Sequence, residues 1–363
     1  MPRFLLVTLI GGLLAAQQQT PPQPSQAPAD QPPSRITTTV TNVVAPVVVF
    51  DGNDNYVAGI RPDQFRLFDN NKEQNIHVDE AFIPISLVIA IQSNSEVDGI
   101  LPQINKIGNL VGPQILGQQG EAAVIAFDHR VMVKQDFTSD PDKITQAVKK
   151  IQSGSMSAAL IDAVDQGVKM LRTRPPNRRR IILLISESRD QGSINKGRDV
   201  LIELQMNNVT LYSVPMSRLV GKLTAPAPYP RLDQNPPAAN PMPMGKAATP
   251  TSVMQAYGTD GNSAQFVPLL MEIYKDAKGF FKATPIEIFT KGTGGSEYNF
   301  YGGRGLEQAI NRIGEELHSE YTISYAPNNP EEGGFHSIRI DVMGHPEVRR
   351  VQTRPGYWIA THQ

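Results

Sequence analysis

Short apolar runs that break off after five or six residues most limit the folds open to this chain. Residues 87–91, 122–127 and 181–185 are such runs, and 209–214 continues the series. A continuous apolar stretch of this length is the pattern of a strand buried on both faces of a parallel sheet, and it falls far short of the ~20 residues that span a bilayer. Helical spacing fills the intervals. Ile100, Ile104, Ile107 and Leu110 share one face, as do Ala159, Leu160, Ala163, Val164, Val168 and Leu171. Ser139-Asp140-Pro141 supplies a cap and an early proline for a helix whose apolar face is Ile144, Ala147, Val148 and Ile151, and Val200, Leu201 and Leu204 mark another. Residues 131–137 are expected to pair with 122–127 across the turn Asp128-His129-Arg130. Strands alternating with helices in this way predict a doubly wound, mostly parallel α/β sheet.

The flanks differ in kind. Residues 43–50 and the segment 61–68 predict strands, with turns at 51–55 and 69–72. Late strands are expected at 337–342 and 349–353, closing with Gly356-Tyr357-Trp358, and the helix and strand at 306–317 and 321–325 are assigned to the α/β part. A pair of strands at each end is marginal alone, so the terminal strands are expected to build one small β domain together. The prolines at 226, 228, 230, 236, 237, 241 and 243 interrupt the α/β rhythm, predicting an insertion over 217–284 with a helix at 266–281. The organisation expected is a signal peptide at 1–16, a Pro/Gln-rich linker at 17–35, an N-terminal β segment at 36–82, an α/β domain at 83–327 and a C-terminal β segment at 328–363.

Arg3, the apolar stretch 4–14 and the small residues Ala15 and Ala16 form the pattern of a secretory signal, which predicts a periplasmic or secreted protein with no membrane span once it is removed. The chain has no cysteine, which removes thiol catalysis, disulfides and zinc–thiolate sites together. A formal net charge of −1 supplies no field for nucleic acid. The one tight basic run, Arg178-Arg179-Arg180, is expected in a solvated loop.

Chemistry-bearing patterns are few. The Asp/Asn cluster at 51–55 is a turn rather than an EF-hand, because Tyr56 stands where that loop needs glycine and Pro62 where it needs glutamate. None of the six histidines has the spacing of a helix-borne metal pair, and His318 is expected on a helix surface. Neither a Gly-x-Ser-x-Gly elbow nor a P-loop occurs, and 292–295 and 302–305 are expected to be turns. Glu315-Glu316 and Glu331-Glu332 are expected at the solvated surface. No enzyme is predicted.

Three segments taken in order resemble the von Willebrand factor type A domain: Ile91-Gln92-Ser93-Asn94-Ser95 at the end of an apolar strand, then 158–163, then 185–190. The segments 61–70, 293–295, 313–317, 321–327 and 354–357 are similar to an exported acidobacterial family that carries this domain. The resemblance implies an adhesion module whose Asp-x-Ser-x-Ser loop, Thr and second Asp hold a divalent cation. Here Ile91 stands at the first Asp, Ala158 at the Thr and Glu187 at the second Asp, while Ser93 and Ser95 match. Mg²⁺ asks for oxygen ligands with negative charge among them, so this is read as a degenerate site. No cofactor is expected, and Ser93, Ser95 and Glu187 are the residues that could touch Mg²⁺. The serine hydroxyls are expected to cap the following helix. A partner-binding face of Ser93, Asn94, Ser95, Ser157, Glu187 and Arg189 is predicted at the C-terminal ends of the strands, for a protein partner in the periplasm or cell envelope. The rival expectations are an adhesin that takes its acidic ligands from Asp98 or Asp190, and an enzyme of unknown type.

Overall fold

The computed structural model describes residues 42–79, 83–216, 284–299 and 303–359. The expected signal peptide and linker, the insertion up to 283 and its helix at 266–281 lie outside the described residues. The described residues all belong to one compact unit, residues 40–363.

The apolar runs become strands β5 (Ile85–Gln92), β6 (Glu121–Phe127), β8 (Arg179–Ser186) and β9 (Val209–Pro215). With β7 (Val131–Thr138) they form a five-stranded sheet in the order β7-β6-β5-β8-β9. Every pairing is parallel except β6 with β7, which is antiparallel across the predicted turn. The first strand sits centrally and the chain winds outward both ways, so the predicted doubly wound sheet is present. Each face of β5 has its own core. Ile85, Leu87, Ile89 and Ile91 pack in one cluster with α3 (Pro141–Lys149) and α7 (Gly303–Ser319). Val88 and Ala90 pack in the other with α4 (Leu160–Arg172), α5 (Gly197–Met206) and α6 (Pro285–Thr293). Complete burial on both faces is why these strands lack polar alternation.

The helix expected from Ile100 to Leu110 is broken into α1 (Leu101–Ile104), α2 (Gly108–Val111) and a π-helical turn, Gly112–Leu116. Its apolar spacing is kept, since Ile100, Ile104 and Ile107 are buried, but Pro102, Gly108, Gly112 and Pro113 interrupt the ladder. Gly108 is there for contact: a Cβ on it would lie 2.6 Å from the Thr145 Cα.

The terminal strands build two four-stranded sheets, β12-β1-β10-β4 and β13-β11-β2-β3. Their elements are β1 (Val43–Phe50), β2 (Phe65–Asp69), β3 (Lys72–Glu73), β4 (Ile76–Asp79), β10 (Tyr321–Tyr325), β11 (Gly334–Val342), β12 (Arg350–Gln352) and β13 (Gly356–Ile359). One apolar core, with Val47, Phe65, Leu67, Ile323 and Ile340, joins the two sheets into a sandwich. Here the expected boundary at 327 is corrected. β10 does not end the α/β sheet; it lies between β1 and β4, antiparallel to both, with Val43 opposite Tyr325 and Val47 opposite Tyr321. The edge of β9 is met instead by the segment after α6, where the Ser213 N–H donates to the Ser296 carbonyl and the Tyr298 N–H donates to that of Ser213.

Side-chain chemistry explains the placement of β10. The Tyr325 hydroxyl donates to Asp69 Oδ2 at 2.9 Å and the Tyr357 hydroxyl to the same oxygen at 2.7 Å, while His336 Nδ1 lies 2.7 Å from Oδ1. Asp69 and His336 are fully buried, so this cluster ties β2, β10, β11 and β13 through one carboxylate.

Arg178–Arg180 are also corrected. They are not a solvated loop but the mostly enclosed start of β8 and the residue before it. Arg178 donates to Ser86 Oγ at 2.8 Å and to the Ile85 carbonyl at 2.9 Å. Arg179 pairs with Glu320 at 2.6 Å, and Arg180 donates to the carbonyls of Asn207 and Arg174. Five fixed donors suit a guanidinium to gathering the carbonyls left over where strands begin.

Candidate functional site

At the opposite end of the sheet, two polar segments that leave the C-terminal ends of neighbouring strands meet another that links α3 to α4. The first follows β5, the second precedes α4 and the third follows β8. Backbone bonds join the first two: the Gly154 N–H donates to the Ser93 carbonyl at 2.6 Å and the Ser95 N–H to the Ser155 carbonyl at 2.8 Å. The Gln191 N–H donates to the Ala158 carbonyl at 2.9 Å and so joins the second to the third. Five of the six predicted residues belong to this junction directly. Ser93, Asn94 and Glu187 are buried, Ser95 and Ser157 are half-buried, and Arg189 projects exposed from the third segment.

Sequence reasoning missed the residue that fastens the junction. The Gln92 side-chain amide donates from Nε2 to Asn94 Oδ1 at 2.9 Å, and its Oε1 accepts the Glu187 N–H at 2.7 Å. Asn94 Nδ2 then donates to the Met156 carbonyl at 3.0 Å. One unbroken chain of amide bonds therefore runs from Glu187 through Gln92 and Asn94 to Met156, touching all three segments. A polar residue ending an otherwise apolar strand was the available signal. Asp128, directly after β6, carries no sequence signal beyond that of a turn. Burial alone would raise its carboxyl, but bonds from the Ser155 and Arg130 N–H groups, at 3.0 and 2.8 Å, and the charges of His129 and Arg130 outweigh that and hold it below the ordinary value.

The expected helix-capping role of the serines is corrected. The segment after β5 is a short 3-10 turn, Ser95–Val97, whose N-cap is Asn94 and makes no side-chain cap bond. Such a turn presents too few free N–H groups in line to use two hydroxyls. The Ser93 and Ser186 hydroxyl oxygens are buried without a hydrogen-bond partner.

The acidic and Thr positions that would hold a divalent ion in domains of this resemblance are filled differently here. Ile91 is fully buried in the apolar cluster shared with α3 and α7 and offers no oxygen at the first acidic position. Ala158, at the Thr position, is also buried and brings no oxygen. Among the described residues no group of three or more His, Asp or Glu is placed to hold a metal. Of the rival ligands, Asp190 spends Oδ1 on the Leu160 and Ile161 N–H groups at the start of α4 and on Ser193, and Asp98 stands exposed beyond the 3-10 turn. Ser93 and Ser95 with Glu187 bring a single carboxylate, while Asp128 and Asp190 at the same junction accept from backbone N–H groups.

Two large apolar side chains crown the junction. Met156 is 68% exposed and Ile194 92%, the highest values among the exposed large apolar residues described. Ile194 is held outward because its N–H and that of Asn195 donate to Asp162 on α4, at 2.9 Å each.

No family model and no curated protein matches the chain. Among solved structures it is similar to the conserved hypothetical protein BatB of Bacteroides thetaiotaomicron, with 12% identity over 64% of this chain and 98% of that one and a TM-score of 0.40. An aerotolerance-related membrane protein of Bacteroides fragilis gives 11%, 64%, 99% and 0.37. The vWF domain of the pilus tip protein Mfa5 of Porphyromonas gingivalis gives 14%, 31%, 40% and 0.27. Likenesses this distant carry no function. The strand order and the antiparallel edge make the α/β body a doubly wound, mostly parallel sheet, the fold class that the resemblance to a von Willebrand factor type A domain implies.

Proposed function

We propose that the strand-end face is a protein-binding surface that works without a metal ion and without catalysis, in a protein exported to the periplasm or cell surface. The carrying observation is the pair Met156 and Ile194, both strongly exposed above a junction whose polar groups are largely committed to one another. Apolar side chains held in water and rimmed by polar groups are characteristic of contact sites. Arg189 adds an exposed guanidinium, able to bind a partner's carboxylate through two parallel bonds. In domains of this resemblance a cation would bridge the loops and meet the partner. Here the Gln92–Asn94 amide chain supports the bridging role and Arg189 the charge.

The test is co-purification from the native cell envelope with the wild-type chain and with Met156→Glu/Ile194→Glu, each with and without EDTA. The expected result is capture that survives EDTA and is lost in the double variant, while its melting temperature stays within a degree or two of wild type (roughly ±0.5 kcal/mol for exposed positions). Capture lost in EDTA and restored by Mg²⁺ overturns the metal-free reading in favour of the adhesin with unconventional ligands. Capture unchanged in the double variant removes this face from the interaction.

A further inference from the structure

Away from the strand-end face, a cleft of about 860 Å³ opens where β1 and β12 of the sandwich meet the segment after α6 and the side of α7. That volume lies in the range of small-ligand sites, and junctions between layers are where such sites occur. Its floor is Glu316, the residue expected at the surface and found 1% exposed. Glu316 Oε1 accepts the Ser296 hydroxyl at 2.7 Å and Oε2 accepts the Tyr298 hydroxyl. Burial pushes this carboxyl up from the ordinary glutamate value, against the bonds from Tyr298, Ser296 and Tyr212 that pull it down. From the floor a line of hydroxyls leads outward, because the Tyr56 hydroxyl stands 3.5 Å from that of Tyr298.

The walls decide what the cleft can hold. Arg350 lies 3.6 Å over the Phe50 ring and pairs with Asp54 at 3.2 Å, and the Tyr56 ring packs 5.4 Å from Phe50. Lys291 pairs with Glu287 at 2.8 Å. Two of the wall cations are thus matched by neighbouring carboxylates, and Arg312 shares the rest of the wall with Glu297 and Glu315, so a strongly charged ligand of either sign would meet like charge or have to break ion pairs to enter. A wholly apolar ligand would cover the Tyr56 hydroxyl and the carboxyl and amide groups without giving them partners, which is costly. Aromatic faces beside hydroxyl, amide and carboxyl groups that both donate and accept are matched by a neutral molecule rich in hydroxyls.

We propose that this cleft is a binding site for a short neutral oligosaccharide, with the Tyr56 and Tyr298 rings as its apolar contacts and their hydroxyls as its polar ones, the Tyr298 hydroxyl being positioned from beneath by Glu316. The site is separate from the strand-end face and stands whether or not that face binds protein.

Saturation-transfer NMR on the full chain with cellotriose, maltotriose and chitotriose tests it. The expected result is transfer to at least one of the three, weakened about ten-fold in apparent affinity by Tyr56→Ala, the size of effect when one hydrogen bond and its ring contact are lost. Tyr56→Phe, which keeps the ring, should recover part of that loss. Glu316→Gln should weaken binding as well; should it fail to fold, the half-buried Tyr56 still decides the matter. Absence of transfer to all three sugars overturns the proposal, as does transfer that Tyr56→Ala leaves unchanged.

Discussion

The carboxylates of the strand-end junction and those of the sandwich side are satisfied in opposite ways. At the junction, Asp128, Asp162 and Asp190 accept mainly from backbone N–H groups: Ser155 and Arg130, Ile194 and Asn195, Leu160 and Ile161. On the sandwich side, Asp69 and Glu316 accept from side chains outside their own elements, Tyr325, Tyr357 and His336 of other strands on the first and Ser296 and Tyr298 of the segment after α6 on the second. The first arrangement shapes loops. The second holds layers together. An acid that collects N–H groups from its own neighbourhood fixes where a loop tip points, which a recognition surface requires. An acid that collects hydroxyls from separate elements fixes how those elements pack, and much of the fold depends on it.

That contrast can be broken most forcefully at Asp69. Asp69→Ala should destabilise the chain by about 3–5 kcal/mol, because buried hydroxyl and imidazole donors lose their acceptor together. Urea unfolding measures it, and a loss below ~1 kcal/mol would show that the cluster does not hold the sandwich. A smaller effect is expected from Gln92→Ala, about 1–3 kcal/mol, since two bonds are removed but the segments keep their backbone bonds. Hydrogen exchange should locate the change: the Glu187 amide, now without Gln92 Oε1, should exchange faster while β5 stays protected. Uniform acceleration across the sheet would mean that Gln92 supports the core rather than the junction.

The smallest effect concerns pH and has opposite signs at the two places. Asp128 is held below the ordinary aspartate value, so the folded state gains from its charge at neutral pH and loses that gain as pH falls below about 4 toward the lowered folded value. Glu316 is raised above 4.5, so the folded state holds its proton more tightly than the unfolded chain and loses stability as pH rises from 4.5 through the raised value. Unfolding free energies between about pH 3 and 7 for wild type, Asp128→Asn and Glu316→Gln check both signs. The advantage of wild type over Asp128→Asn should shrink toward low pH, whereas Glu316→Gln should gain on wild type as pH rises. Parallel curves for the two variants would remove the distinction between the acids.

Much of the α/β body is legible in the sequence. The runs at 87–91, 122–127, 181–185 and 209–214 are all strands, the caps at Asp140–Pro141 begin a helix, and the three segments of the candidate site do meet. Less legible was the ownership of polar residues. Gln92 carries no signal in the sequence beyond its polarity, since an amide at the end of an apolar strand has no further signature. Glu316 is expected at the surface, because an acid beside another acid on an amphipathic helix usually lies there. Its neighbour Glu315 is indeed exposed, and one residue of helical rotation separates the two environments.

The sequence by itself determined the doubly wound sheet, since burial on both faces leaves a strand only apolar residues and the pattern survives without knowledge of its neighbours. Tertiary structure alone decided that β10 joins the sandwich and that Gln92 and Asn94 span three loops. It also decided that Glu316 lines a cleft. The physical reason is range. Apolar burial is a nearly additive, non-directional property written residue by residue along the chain, whereas a hydrogen bond needs a partner at one distance and angle. That partner is often more than a hundred residues away: Tyr325 lies 256 positions from Asp69 in sequence.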